Sequence, residues 1–115
     1  MLDELTNESK FLLASLYKEY LQRRKDGVDR PKARKFKKEF DIHDEIMSEW
    51  SQSDVHDSIS ELSNLGLLET SSGGDAFVSV TLSPKAIAQL EFTFKDRINS
   101  VLNYAAKIKN AIPFV

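Results

Sequence analysis

The stretch "ISELSNLGLLETSSGGDAFVSVTLSPKA", Ile59 to Ala86, holds the signals that decide the fold. Gly66 predicts the end of a helix, because glycine readily adopts the left-handed conformation that follows a helix C-terminus. The pair Gly73-Gly74 separates two short runs, and the second, Phe77 to Leu82, alternates as a strand does. Ser83-Pro84 then suits the cap and first position of a new helix. The stretch therefore predicts a helix, a β-hairpin and a helix in that order.

The helix that Gly66 ends is predicted to begin at Ser51 or Ser53. Its apolar residues recur every three or four positions: Val55, Ile59, Leu62 and Leu65. A second strongly periodic segment runs from Thr6 to Lys25, with Thr6 or Asn7 as its cap. Between these two helices we predict two shorter ones. One starts at Pro31 and is anchored by Ala33, Phe36 and Phe40, and the other lies between Asp41 and Trp50.

This order of elements resembles a winged helix-turn-helix domain. Glu61 to Thr70 resembles the end of a recognition helix that runs into the first strand of the wing, and Val80 to Ala86 resembles the second strand passing into the next helix, as in MarR-like and PadR-like regulators. The resemblance implies a mainly α fold with a small β-hairpin and a long C-terminal helix. A further likeness, through Asp54 to Leu68 and the closing helix, is to small proteins from phage and mobile-element regions of Gram-positive bacteria, and it implies no activity.

Length and composition indicate a single soluble domain over residues 1–115. The chain is 41% hydrophobic and 30% charged, and it contains no cysteine, which excludes disulfides and thiol nucleophiles. It has no apolar run of the roughly 20 residues that a membrane span requires. The first ten residues lack the basic and apolar regions of a secretory signal, so a cytoplasmic location is expected by default.

The charges are segregated along the chain. Residues 39–84, which we call the acidic segment, hold ten acids and no Lys or Arg. Residues 22–38 hold nine Lys or Arg and two Asp. A helical projection turns five residues of the predicted recognition helix outward: His56, Asp57, Ser60, Glu61 and Asn64. The hairpin turn adds only Asp75 as a charge. Because DNA binding depends on neutralising phosphates, we expect this surface to contact protein rather than DNA.

The basic segment, Arg23 to Lys38, has several interpretations. The first interpretation is a solvated surface paired with the acidic segment. The second is a docking site for another protein or for the acidic segment of a second copy, and the third is a nucleic-acid surface. Its cations are Arg23, Arg24, Lys25, Arg30, Lys32, Arg34, Lys35, Lys37 and Lys38.

The closing helix, residues 84–112, is predicted to be about 40 Å long at 1.5 Å per residue, so part of it should overhang the domain. PadR-like regulators pair through such a helix, and a homodimer is therefore expected. The candidate dimer seam is Phe94, Ile98, Val101, Ala105 and Ile108. The alternatives are a helix that bends back onto its own domain, or one that lies on a membrane surface.

No catalytic, cofactor-binding or metal-binding residue is assigned. The cluster Asp41, His43, Asp44 and Glu45 lacks the spacing of a metal site, and acids at a helix start are explained by the helix dipole. The sequence therefore predicts a non-enzymatic interaction module, homodimeric, that uses the face around Asp57 for protein contacts. The alternative is a DNA-binding transcriptional regulator that uses the basic segment.

Overall fold

The computed structural model describes residues 2–94 and 98–111. A short 3-10 turn at Leu2–Glu4 comes first. The helices are α1 Asn7–Lys25, α2 Arg30–Ala33, α3 Glu39–Glu45, α4 Gln52–Asn64, α5 Pro84–Phe94 and α6 Ile98–Ala111. The strands are β1 Lys35–Phe36, β2 Leu68–Gly73 and β3 Ala76–Leu82. The predicted class, mainly helical with a small β-hairpin, is confirmed.

Side-chain caps start the long helices where the sequence places them. The Thr6 hydroxyl accepts a hydrogen bond from the Ser9 amide at the start of α1, and Ser51 accepts one from the Asp54 amide at the start of α4. These bonds satisfy amides that have no partner inside the helix. Gly66 follows α4 with φ of +75°, the left-handed conformation that its position after the helix requires.

The sheet contains a third strand that the sequence analysis missed. Its order is β1-β3-β2, and both pairings are antiparallel. The short helix predicted from Pro31 onward through Phe36 is wrong beyond Ala33, because Lys35 and Phe36 pair with β3 instead. Backbone pairing with β3 has therefore overridden a helical spacing that rests on few apolar anchors.

The core forms where α1 and α4 pack beside β3 and α5. At its centre lie the largest fully buried side chains: Leu12, Leu13, Leu16, Tyr17, Met47, Ile59, Leu62, Leu82 and Leu90. Burying one such aliphatic side chain contributes about 1.5–3 kcal/mol. Trp50, the single tryptophan, packs on Phe11 with ring centroids 4.8 Å apart.

The closing segment is not one overhanging helix. It forms α5 and α6, and α6 packs against α1 of the same chain. The longest dimension of the described residues is 33 Å, shorter than the predicted 40 Å helix alone. The apolar stripe of α6 packs along α1, and this contact covers the stripe without an overhang.

This packing accounts for most of the candidate dimer seam. Phe94 and Val101 are buried in the protein's own core, and Ala105 and Ile108 are half-buried against it. The side chain of Ile98 lies outside the described residues. The apolar stripe that was expected to be exposed is therefore covered by α1. The homodimer stays a prediction, but an exposed stripe no longer supports it. None of the described helices is both long and apolar enough to cross a bilayer.

Candidate protein-interaction face

A cleft of about 640 Å³ opens between the start of α3, the first turns of α4 and the tip of the β2-β3 hairpin. Three of the residues that line it are acids and none is Lys or Arg. The lining residues are Glu39, Phe40, Gln52, Ser53, His56, Asp57, Gly73, Asp75 and Ala76. Asp75 of the hairpin tip and Asp57 of α4, which lie 18 positions apart in the sequence, thus line the same cleft.

The surface around this cleft carries exposed negative charge. Asp54, Asp57 and Asn64 on α4 are exposed, as is Asp75, and Ser60 is half-buried. We call these five residues the acidic face. Asp54 and Asp57 are three positions apart, so they project from the same side of α4. Three of the five residues predicted to face outward, Asp57, Ser60 and Asn64, therefore belong to this face.

Glu39 forms the floor of the cleft, and its carboxylate is only 3% exposed. It accepts hydrogen bonds from Nδ1 of His56 at 2.6 Å, Nε2 of Gln52 at 2.7 Å and the Phe77 amide at 3.3 Å. Burial alone would raise the pKa of Glu39, but these three hydrogen bonds outweigh it and hold the pKa below the ordinary value. Because an ionised carboxylate only accepts hydrogen bonds, Nδ1 of His56 carries a proton.

The side chains around Glu39 tie the hairpin to α3 and α4. The Phe77 ring stacks on the His56 ring with centroids 4.9 Å apart. Pairing along the hairpin passes from Ser71↔Ser79 to Ser72↔Phe77, so Val78 is an extra residue in β3. Such a bulge redirects the side chains beside it, and this brings Phe77 onto α4. Nδ1 of His56 thus has a partner inside the chain, while its side chain is 41% exposed in the cleft, and its contact with another protein stays a prediction.

Glu61, the fifth residue of the predicted face, also has internal partners. Its carboxylate accepts hydrogen bonds from the Thr6 amide at 3.0 Å, the Thr6 hydroxyl at 2.8 Å and the Ser9 hydroxyl at 2.9 Å. It lies at the positive end of the α1 dipole, where a negative charge is favoured. Glu61 therefore joins α4 to the start of α1, and its role as a partner contact stays a prediction.

Sequence reasoning missed Glu39, Phe40 and Gln52. Glu39 is an ordinary acid after a basic run, and nothing in the sequence marks its burial. Phe40 was interpreted as a helix anchor, yet its side chain is 49% exposed at the cleft. Its apolar neighbours in the sequence are too few to indicate which side it faces.

Part of the basic segment has internal partners. The Arg23 guanidinium lies 4.5 Å from the centre of the Phe36 ring and donates to the backbone oxygens of Ala33 and Lys35. Arg24 donates to the Val28 oxygen, and Arg34 donates to the Leu82 oxygen. Arg23 thus links α1 to α2 and β1, and Arg34 links the residue between α2 and β1 to β3.

The remaining cations of the basic segment differ in their pairing. Lys37 pairs with Glu45 at 3.0 Å. Within the described part of the chain, the other five are exposed and have no ion-pair partner: Lys25, Arg30, Lys32, Lys35 and Lys38. We call them the free basic patch.

The cluster around His43 is explained by local hydrogen bonds. Nδ1 of His43 lies 2.9 Å from the Asp44 carboxylate, and Nε2 of His43 lies 2.8 Å from the Trp50 backbone oxygen. The bond to Asp44 is the main cause that raises the pKa of His43 above its ordinary value. Across residues 2–94 and 98–111 there is no group of three or more His, Cys, Asp or Glu side chains that could hold a metal ion.

A second cleft, of about 660 Å³, lies between α1, β1, α3 and α6. Six of its thirteen lining residues are apolar, and the lining also holds two acids, Glu19 and Glu45, and four cations, Lys18, Arg23, Lys37 and Lys109. Three of these four cations already form ion pairs, with Glu19, Glu45 and Glu49. This cleft therefore offers less unpaired charge than the acidic face.

No protein-family model, curated protein or solved structure matches the chain.

Proposed function

We propose that this protein is a non-enzymatic interaction module of the winged-helix type, whose acidic face binds a basic segment of a protein. The observation that carries the proposal is a cleft whose lining contains Glu39, Asp57 and Asp75 and no Lys or Arg. An unpaired surface of one sign attracts a surface of the other sign and repels its own.

The winged-helix part of the proposal is supported by the order of the elements. In that interpretation α4 is the recognition helix and the β2-β3 hairpin is the wing. The acidic face then occupies the surface with which DNA-binding members of the class would contact DNA. Its exposed charges, Asp54, Asp57 and Asp75, are all negative, so phosphates would be repelled there.

Exposed apolar groups beside the charges favour a protein partner. Phe40 is 49% exposed and lines the cleft, and Val78 is 52% exposed next to Gly73. Aromatic side chains surrounded by polar groups are typical of protein interfaces. The buried contacts of Glu39 fix the position of the hairpin relative to α4, so the surface is formed before the partner arrives.

Homodimerisation remains part of the proposal, although the closing helices now lie on their own domain. Leu102 on α6 is 44% exposed, and it is the apolar group through which α6 would contact a second copy. Light scattering over a concentration series tests this point. At about 500 mM salt, where exposed charges are screened, a dimeric mass that Leu102→Glu converts to monomer is expected, and a mass unaffected by that substitution would remove α6 from the interface.

Binding of a fluorescently labelled peptide tests the acidic face. A peptide rich in Lys and Arg should bind the wild type, and Asp57→Asn with Asp75→Asn should weaken binding by about tenfold, or 1.4 kcal/mol. Glu91→Gln, an exposed acid on α5, is the matched control and should change nothing. Equal affinity for the wild type and the double variant would contradict the proposal.

A second candidate function is binding of duplex DNA through the free basic patch. It is favoured by the five cations that have no ion-pair partner among the described residues. Anisotropy of labelled random duplex at about 50 mM salt tests it, because nonspecific attraction to phosphates is strong at low salt. The wild type should bind the duplex, and Lys32→Glu with Lys35→Glu should abolish that binding. A wild type that does not bind would rule out this function.

A further inference from the structure

We propose that the basic partner of the acidic face is the free basic patch of a second copy of this chain, so that molecules associate head to tail. This inference rests on the proposed function, because it names the partner of the same face. It differs from a dimer through α6, since the two surfaces that meet are oppositely charged and lie at different places on the molecule.

The two surfaces have complementary charges. The acidic face exposes Asp54, Asp57 and Asp75, while the free basic patch exposes Lys25, Arg30, Lys32, Lys35 and Lys38. The formal net charge of the whole chain is −2, so long-range repulsion between two copies is small. Attraction between the two patches therefore decides how two copies orient when they approach.

Lys35 of the free basic patch and Asp75 of the acidic face are too far apart to neutralise each other within one molecule, whereas Lys38 directly precedes Glu39 of the cleft. Lys35 in β1 pairs with Thr81 near the base of the hairpin, whereas Asp75 lies at its tip. Thr81 is six positions from Asp75 along β3, which is about 20 Å at 3.3 Å per residue. This separation exceeds the Debye length of about 8 Å at physiological salt. Lys35 and Asp75 therefore each stay available to the opposite charge of another molecule.

Phe40 provides an apolar contact for an incoming cation. Its ring is 49% exposed in the cleft that also contains Asp57 and Asp75. A Lys or Arg side chain is attracted to the face of an aromatic ring, and the carboxylates on either side strengthen that attraction. The same pairing already occurs within the chain, where Arg23 lies over Phe36.

The geometry determines the type of assembly. Because one patch contacts a different patch, the interface is heterologous, and it builds open chains or rings rather than a closed two-fold dimer. Wild-type mass should therefore rise with concentration beyond that of a dimer of 13.1 kDa subunits. At about 500 mM salt, where exposed charges are screened, it should fall back to the dimer that forms through α6.

Light scattering with two charge-neutralised variants tests the inference. Asp57→Asn with Asp75→Asn removes charge from the acidic face, and Lys32→Gln with Lys35→Gln removes charge from the free basic patch. Both variants also carry Leu102→Glu, which excludes contact through α6, and each alone should be monomeric at about 20 mM salt, where the Debye length is long. Mixed together they should form a one-to-one complex that does not grow, since only one intact face remains on each. Glu4→Gln with Glu91→Gln changes charge elsewhere and should assemble like the wild type.

Three results would overturn the inference: a wild type that stays monomeric at low salt, a mass that the variants do not change, or variants that do not combine when mixed. Trp50 fluorescence during urea unfolding verifies that each variant is folded, and the two variants alter different elements, so misfolding of one leaves the other informative. A monomeric wild type that still binds a basic peptide at the acidic face would refute head-to-tail assembly alone. Loss of both would refute the proposed function as well.

Discussion

The carboxylates of Glu39 and Glu61 differ from the exposed acids around them, because each accepts three hydrogen bonds from other parts of the chain. Glu39 holds the hairpin against α4, and Glu61 holds α4 against the start of α1. Asp57 and Asp75, by contrast, remain exposed. At the scale of single residues, the acidic segment therefore contains structural acids and acids left free for a partner.

Glu61→Gln should lower the free energy of unfolding by about 1–3 kcal/mol, because an amide cannot accept all three hydrogen bonds and brings a donor toward the Thr6 amide. Urea unfolding followed by Trp50 fluorescence measures the change. Glu91→Gln, an exposed acid on α5, is the control and should alter stability by less than about 0.5 kcal/mol. Equal effects of the two substitutions would show that the contacts of Glu61 do not stabilise the fold.

Glu39 should make stability depend on acidic pH. Its folded pKa lies below the ordinary value of 4.5, so its contribution is fully present above that value and is lost as pH falls through the folded pKa. The wild type should be more stable than Glu39→Gln at about pH 6, and the difference should shrink as the pH falls below about 4.5. A difference that is constant from pH 6 to pH 3 would contradict this assignment.

At the scale of elements, the sequence predicts what is encoded locally and misses what depends on distant partners. The caps Thr6 and Ser51 and the stop at Gly66 mark α1 and α4 correctly, because these signals act within one turn of the helix. Strand β1 has no such signal, since two residues become a strand only when β3 lies beside them. The candidate site shows the same limit: projection turned His56 and Glu61 outward but did not reveal that Glu39 and Thr6 reach them.

In the closing segment, too, the sequence predicts the local structure but not the surface against which it packs. Its apolar spacing predicts helix correctly for α5 and α6, but spacing alone does not decide whether the stripe covers α1 or a second copy. Val101 is fully buried, so Val101→Glu would place a carboxylate in the core. That substitution would report on folding rather than on dimerisation.

Val101→Ala should lower the free energy of unfolding by about 1–3 kcal/mol through lost burial and the cavity left behind. Its neighbour Leu102 is 44% exposed, so Leu102→Ala is a matched control that removes more carbon and should cost less. Urea unfolding of both variants gives the comparison. A larger loss for Leu102→Ala would show that α6 faces α1 with a different side.

At the scale of the whole molecule, the charges are segregated on the surface as well as along the chain. Three ion pairs link basic residues to the acidic segment: Lys37–Glu45, Arg34–Glu69 and Lys109–Glu49. Their carboxylates are 48–59% exposed, and pairs exposed to this degree contribute little to stability. The segregated charge is therefore better suited to association than to holding the fold together.

Salt should consequently separate folding from association. The free energy of unfolding is expected to change by less than about 1 kcal/mol between low and high salt, because the core is apolar and the ion pairs are exposed. Affinity for a basic peptide should fall steeply over the same range. Urea unfolding and peptide anisotropy in matched buffers measure the two quantities. A fold that weakens as much as the peptide affinity would show that the charged segments hold the domain together.

Amide chemical-shift mapping identifies, residue by residue, whether the acidic face is the surface that binds a partner. A ¹⁵N-labelled sample is titrated with a basic peptide and, separately, with random duplex DNA at about 50 mM salt, where attraction to phosphates is strong. The peptide should shift the amides of Asp57, Ser60, Asn64 and Asp75 in a saturable way, and DNA should leave them unchanged. Peptide shifts confined to other surfaces, or DNA shifts at these four amides, would contradict it.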